Sequence, residues 1–164
     1  AEVGAWRDGD RAVDRQWSRR MSFDLQRPDP TGVAVDMTYE GVAAGGRPYS
    51  YRQATLVDLR TGKAVSPEEV FAAGDAFGAL VSIVHADLEE QFADRQNFQA
   101  QFEPAILAKL LRDPGRHLFR GDRLEVIFNT YDIGTYVSRP SSVEIAYDRL
   151  KPLLRADGPL GSLR

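Results

Sequence analysis

The most constraining feature of this chain is the segment 124–154, in which two alternating apolar stretches flank an irregular aromatic segment. Apolar side chains occupy every second position over 124–128 and again over 143–147, the two-residue period of a β-strand. Gly134 and Pro140 interrupt the residues between them. The segment therefore predicts two strands joined by a loop that carries large rings, and it contains no obvious catalytic group.

Two tyrosines of that loop, Tyr131 and Tyr136, either pack at a corner of the core or face a partner. Arg139 follows them, and Arg47 lies in a glycine-rich connection earlier in the chain. Tyrosine and arginine provide large contact area and directional hydrogen bonds at interfaces. We therefore predict a binding surface formed by Tyr131, Tyr136, Arg139 and Arg47, with the two arginines the better candidates for exposure.

Alternation earlier in the chain predicts two further strands, over 33–39 and 49–59, the first with one buried face. The connection 41–48 between them is glycine-rich. It lacks the lysine and hydroxyl of a phosphate loop, and no helix follows it. We interpret it as a hairpin loop.

Helical signals fill the middle of the chain. Ser66, followed by Pro67 and Glu69, has the pattern of a capping box and predicts the start of a helix. Apolar residues spaced by three and four predict a longer helix over 77–92, and a further helix is expected to end near 113–115. A hairpin with His117 in its first strand then leads into the segment described above.

This order of strands, helices, strands and a final helix predicts an α+β fold, most simply a mainly antiparallel sheet with helices packed on one face. We expect residues 32–154 to form the domain. Residues 1–31 are expected to be an N-terminal arm or the first elements of the same domain, and residues 155–164 a C-terminal tail.

Composition restricts the function. The chain has 164 residues and a net charge of -3, which suits one sizeable core and argues against a nucleic-acid partner. It has no cysteine, and no apolar run approaches the ~20 residues of a membrane span. No leader precedes Ala1, so either the protein is cytosolic or a signal or anchor has been removed.

Catalytic chemistry has little support. His85 lies on the apolar stripe of the long helix, so both it and His117 are expected to be packing residues rather than bases or metal ligands. No zinc spacing and no Gly-x-Ser-x-Gly motif is present. We expect no catalytic residue, no metal and no cofactor, and a small hydrolase using His85 or His117 is the weakest alternative.

Two separated motifs carry a family resemblance. The first is Phe128-x-x-Tyr131-Asp132-Ile133-x-x-Tyr136, followed by Val143-x-Ile145-x-Tyr147-x-x-Leu150 and Leu153-Leu154, and the second is Asp58-Leu59-Arg60-Thr61-Gly62-Lys63-Ala64-Val65 with Pro67-Glu68-Glu69-Val70-Phe71. They resemble a bacterial domain family of poorly defined function, whose members include the extracytoplasmic part of the lysozyme-sensing anti-sigma factor RsiV and the non-catalytic domain beside some PdaC-like peptidoglycan deacetylases. The resemblance covers roughly residues 32–154, and one departure is Gly45-Gly46-Arg47-Pro48, where family members often carry a histidine.

The resemblance implies a non-enzymatic binding or sensory domain in the periplasm or another extracytoplasmic compartment. Its expected partner is an envelope protein, possibly lysozyme-like, or a peptidoglycan fragment. The alternative is an accessory domain of cell-wall metabolism that binds peptidoglycan, in which Trp6, Trp17 and the tyrosines would stack on sugar rings.

Overall fold

A computed structural model describes residues 19–42, 48–93, 103–129, 132 and 141–164. Within these residues seven strands form two antiparallel sheets, which confirms the α+β class. The first sheet contains β1 (Arg19–Asp29), β2 (Gly32–Val42), β3 (Pro48–Asp58) and β4 (Lys63–Ala64), in that order. The second contains β5 (His117–Phe119), β6 (Arg123–Phe128) and β7 (Ser141–Ala146), also in that order.

The helices follow the predicted order. They are α1 (Pro67–Val70), α2 (Ala76–Gln91), α3 (Pro104–Leu110) and α4 (Tyr147–Leu150). At the start of α1 the backbone N–H of Ser66 donates to the Glu69 carboxylate at 2.8 Å, as the capping-box pattern predicts. Three short 3-10 helices complete the described elements: Pro114–Arg116, Lys151–Leu153 and Gly161–Leu163.

Strand β1 lies within residues 1–31, for which we predicted either an N-terminal arm or the first elements of the domain. It pairs with β2 from Arg19 to Asp29, with one irregularity near its end. Asp29 stabilises the turn into β2, because its Oδ1 accepts a hydrogen bond from the backbone N–H of Thr31 at 2.9 Å. The chain end contacts the same turn, since the Ser162 hydroxyl donates to Asp29 Oδ2 at 2.7 Å and Leu160 is buried.

The core lies around β6 and α2. Strand β6 is the central strand of its sheet, and both of its faces are buried. Successive side chains of β6 therefore point to opposite faces that both lie in the protein interior, and neither face is exposed to solvent. The apolar stripe predicted for the long helix packs into the same core, and its buried members are Leu80, Val81, Val84 and Leu88.

The first sheet buries the face opposite to its larger apolar residues. On β2 and β3 the fully buried side chains are Ala34, Ala54 and Leu56. The expected alternation is present, yet Val35 and Met37 stay partly exposed because they point to the other side of the sheet. Apart from Leu56, the interior face of this sheet therefore carries small and charged residues, and most of its bulky apolar residues lie on the opposite face.

Candidate binding surfaces

The four predicted binding residues, Tyr131, Tyr136, Arg139 and Arg47, all lie outside the described residues. Their role stays a prediction.

Asp132, within the same motif, is described and has a structural role. Its carboxylate accepts hydrogen bonds from the backbone N–H of Asn129 and from the guanidinium of Arg116. Because Arg116 is buried, Asp132 compensates a charge that would otherwise be costly in the core.

The two histidines occupy different environments. His85 is half-buried on α2, with Nδ1 3.5 Å from the carboxylate of Glu89 one turn later. His117 is buried, and its ring contacts Phe71 and Phe119 edge-on at centroid distances of 5.9 and 6.2 Å. Burial lowers the pKa of His117 to about 4, so it is neutral at pH 7.

These surroundings match the packing role expected for both side chains. Across the described part of the chain, no three His, Asp or Glu side chains are grouped so that they could hold a metal ion.

A cluster of four charged side chains connects the two sheets. Arg52 of β3 donates through Nε to Asp36 of β2 at 2.9 Å and also pairs with Glu125 of β6. Arg120 donates to the same Glu125 at 2.7 Å. Burial alone would raise the pKa of Glu125, but hydrogen bonds from Arg52 and Arg120 outweigh it and hold that pKa below its usual value.

A second contact fixes the same strands. The backbone N–H of Arg52 donates to Asn129 Oδ1 at 2.7 Å, and Asn129 Nδ2 donates back to the Arg52 carbonyl at 2.9 Å. Every side chain of the four-charge cluster is paired, and the partners come from within the protein. The cluster therefore serves to hold the sheets together, and it leaves no free charge for a ligand.

The bulky face of the first sheet carries several exposed apolar side chains. On β1, Met21, Phe23 and Leu25 are 63%, 69% and 60% exposed. Strand register places them in cross-strand rows with residues of β2 and β3. We define the outer face by seven side chains of these rows: Met21, Phe23, Leu25, Val35, Met37, Tyr39 and Tyr51.

Two tyrosines form the aromatic end of the outer face. Tyr39 and Tyr51 lie directly opposite each other on β2 and β3, with ring centroids 6.2 Å apart. The Tyr39 hydroxyl contacts the sulfur of Met37 at 3.7 Å. The two-residue alternation predicts that Tyr39 and Tyr51 lie on strands, but it does not show that their side of the sheet faces outward.

Strand β1 also forms the edge of its sheet. Nine of its eleven residues pair with β2 on one side, and within the described ranges no strand pairs with the other side. The unpaired edge of a long strand presents backbone N–H and C=O groups that another chain can pair with. The outer face and this edge therefore form one continuous surface.

Comparison with known proteins finds no matching family model and no matching curated protein. Solved structures do match. The chain shares the fold of two DUF3298 family proteins. One, from Bacteroides fragilis, has a TM-score of 0.70 and 14% identity, and the match covers 93% of this chain and 60% of that one. The other, from Pseudomonas aeruginosa, has a TM-score of 0.62 and 15% identity over 85% of this chain and 62% of that one.

The chain thus spans about three fifths of the length of the solved DUF3298 structures that it matches. The shared fold agrees with the predicted resemblance to a bacterial domain family of undefined function. None of the helices in the described ranges is long and apolar enough to cross a membrane.

Proposed function

We propose that this chain is a non-enzymatic, extracytoplasmic binding domain that recognises a protein of the bacterial envelope. The observation that carries the proposal is the exposure of Met21, Phe23 and Leu25 on one face of an edge strand. Contiguous exposed apolar side chains mark interaction sites, and Phe, Tyr and Met are enriched in the centres of interfaces. The partner covers the outer face and adds a strand to the free edge of β1.

Further support comes from the paired state of the interior charges. The buried ionisable groups Arg52, Glu125 and Arg116 are engaged with partners inside the protein, and His117 is held neutral by burial. A general acid or base needs a shifted pKa together with access to a substrate in a cleft, and none of these groups combines the two. The internal pairing of these groups supports a role in which the protein contacts a partner through its surface.

A peptidoglycan-binding role is the second candidate. Trp6 and Trp17, which the sequence suggests would stack on sugar rings, lie outside the described residues. The specific observation in its favour is the pair Tyr39 and Tyr51, because adjacent aromatic rings on an open surface can stack on sugar faces. This role uses the aromatic end of the outer face, whereas the protein-binding role is centred on β1.

The test compares two triple variants of β1. In the outer-face variant, Met21, Phe23 and Leu25 become threonine, which retains strand propensity. The control variant places threonine at the intervening exposed positions Arg20, Ser22 and Asp24, which leaves the net charge unchanged. Binding to purified lysozyme, the partner that the resemblance favours, and to soluble peptidoglycan fragments is measured by biolayer interferometry.

We expect the outer-face variant to lose protein binding and the control variant to keep it. Equal binding by both variants would remove the outer face from the site. Binding of peptidoglycan fragments that is lost in Tyr51→Ala and retained in the outer-face variant would favour the second candidate. If the wild-type chain binds neither probe, both of these partners are excluded.

A further inference from the structure

A cleft of about 420 Å³ lies at the junction of α1 and α2, away from the strands of the outer face. Its volume is within the range of small-molecule sites in proteins. Phe71 and Phe77 provide apolar walls, and Ala72 and Gly74 belong to the bridge between the helices. Arg112 and Glu68 also line the cleft, and both are exposed. All of these residues belong to the described part of the chain.

The bridge between the helices keeps the cleft open. Gly74 has φ +87°, a conformation that favours glycine, and no atom lies within 4 Å of where a Cβ would be placed. Ala72 and Ala73 add only methyl groups. Small residues rather than bulky side chains therefore line this wall.

Two opposite charges at the cleft have no charged partner among the described residues. The guanidinium carbon of Arg112 lies 5.7 Å from the centre of the Phe77 ring, which orients this side chain along the wall. Glu68 is exposed and makes no ion pair with a described residue. Arg155, the other cation at the cleft, is already paired with Asp157 at 3.0 Å.

We propose that the cleft binds a small zwitterion with an apolar body, such as an apolar amino acid or a short peptide with free termini. Arg112 binds the carboxylate and Glu68 the ammonium group, because each would gain the opposite charge that the protein does not supply. Phe71 and Phe77 contact the apolar side chain. Inorganic phosphate fits less well, since Glu68 would repel it.

The probe is the dipeptide L-leucyl-L-phenylalanine, measured by isothermal titration calorimetry on the whole chain. We expect the N-acetyl and the C-amide derivatives each to bind at least about fivefold more weakly than the free dipeptide. Each derivative lacks one of the two charged groups and therefore one charge-assisted contact. Inorganic phosphate is expected to displace none of it.

Charge-neutral, nearly isosteric variants assign the two contacts. Arg112→Gln should bind the free and C-amide dipeptides equally, and Glu68→Gln should bind the free and N-acetyl dipeptides equally. Lys109→Gln, on the exposed side of α3, is the matched control and should behave as the wild-type chain. Both target side chains are exposed, so thermal unfolding is expected to be unchanged in these variants.

Absence of binding up to about 10 mM dipeptide would overturn the proposal, as would equal affinity for the three dipeptide forms or tighter binding of phosphate. The outer-face variant of β1 should bind the dipeptide normally. The cleft and the outer face can therefore succeed or fail independently of each other.

Discussion

Arg52 and Glu125 lie on different sheets and form a two-point ion pair in which both guanidinium Nη atoms donate to the two carboxylate oxygens. Only 18% of the Arg52 side chain and 6% of the Glu125 side chain are exposed. Breaking a buried pair by removing one partner leaves an uncompensated charge, which costs far more than loss of a surface pair. This contact is therefore expected to control the stability of the fold.

Replacing Arg52 with methionine should destabilise the protein strongly. The change leaves Arg120 as the one cluster guanidinium that faces two carboxylates, those of Glu125 and Asp36, while it keeps most of the apolar volume of the Arg52 side chain. We expect the free energy of unfolding to fall by about 3–5 kcal/mol. Urea denaturation followed by circular dichroism measures it.

The control for this change is Arg149→Ala, which removes an exposed pair with Asp87. Its effect should stay below about 1 kcal/mol. If the two variants lose equal stability, the buried pair does not hold the sheets together as inferred.

Burial of His117 should make the protein less stable in acid. Its pKa is about 4 when folded, against 6.5 for an unperturbed side chain, so between these values the unfolded chain binds a proton that the folded chain does not. The contribution is fully favourable above pH 6.5 and is lost progressively as the pH falls towards 4. At pH 5 the loss amounts to roughly 2 kcal/mol.

The measurement is the difference in unfolding free energy between pH 7.5 and pH 5 for the wild type and His117→Leu. Leucine does not titrate, and it also removes the buried Nε2 that has no hydrogen-bond partner in the described structure. We expect a smaller pH dependence in the variant. The same pH dependence in both proteins would show that another group is responsible.

Substitutions on the inner face of the first sheet should change stability more than substitutions on its outer face. Ala34 is fully buried on the inner face, so Ala34→Leu should overpack the core and cost about 1–3 kcal/mol. Leu25 is 60% exposed on the outer face, so Leu25→Thr should change stability by less than about 0.5 kcal/mol. Chemical denaturation of both variants tests the assignment, and a larger loss in Leu25→Thr would reverse it.

Local patterns predicted much of the fold. The alternation over 124–128 and 143–147, the stripe of α2 and the capping box at Ser66 each depend on neighbouring residues, and all were confirmed. Met21, Phe23 and Leu25 also alternate, but the charged residues around them weaken the strand pattern in the sequence.

Other features were not accessible from local patterns. A two-residue period shows that a strand has two distinct faces, but tertiary packing decides which face is buried, as on β2. Arg52 and Glu125 are 73 residues apart, so no sequence spacing predicts their ion pair. The cleft is lined by residues from separate parts of the chain, so no sequence spacing predicts the cleft. Both depend on chain segments that meet only in the folded protein.

Site-specific photocrosslinking tests the central claim most directly. A photoreactive phenylalanine analogue is placed at Phe23, on the outer face, or at Ile106, an exposed apolar residue of α3 that serves as the control. The chain is exported to a bacterial periplasm and irradiated. We predict a discrete crosslink to an envelope protein from position 23, absent from position 106 and abolished by Met21→Thr with Leu25→Thr. No protein crosslink at position 23, or the same products from both positions, would contradict the proposed function.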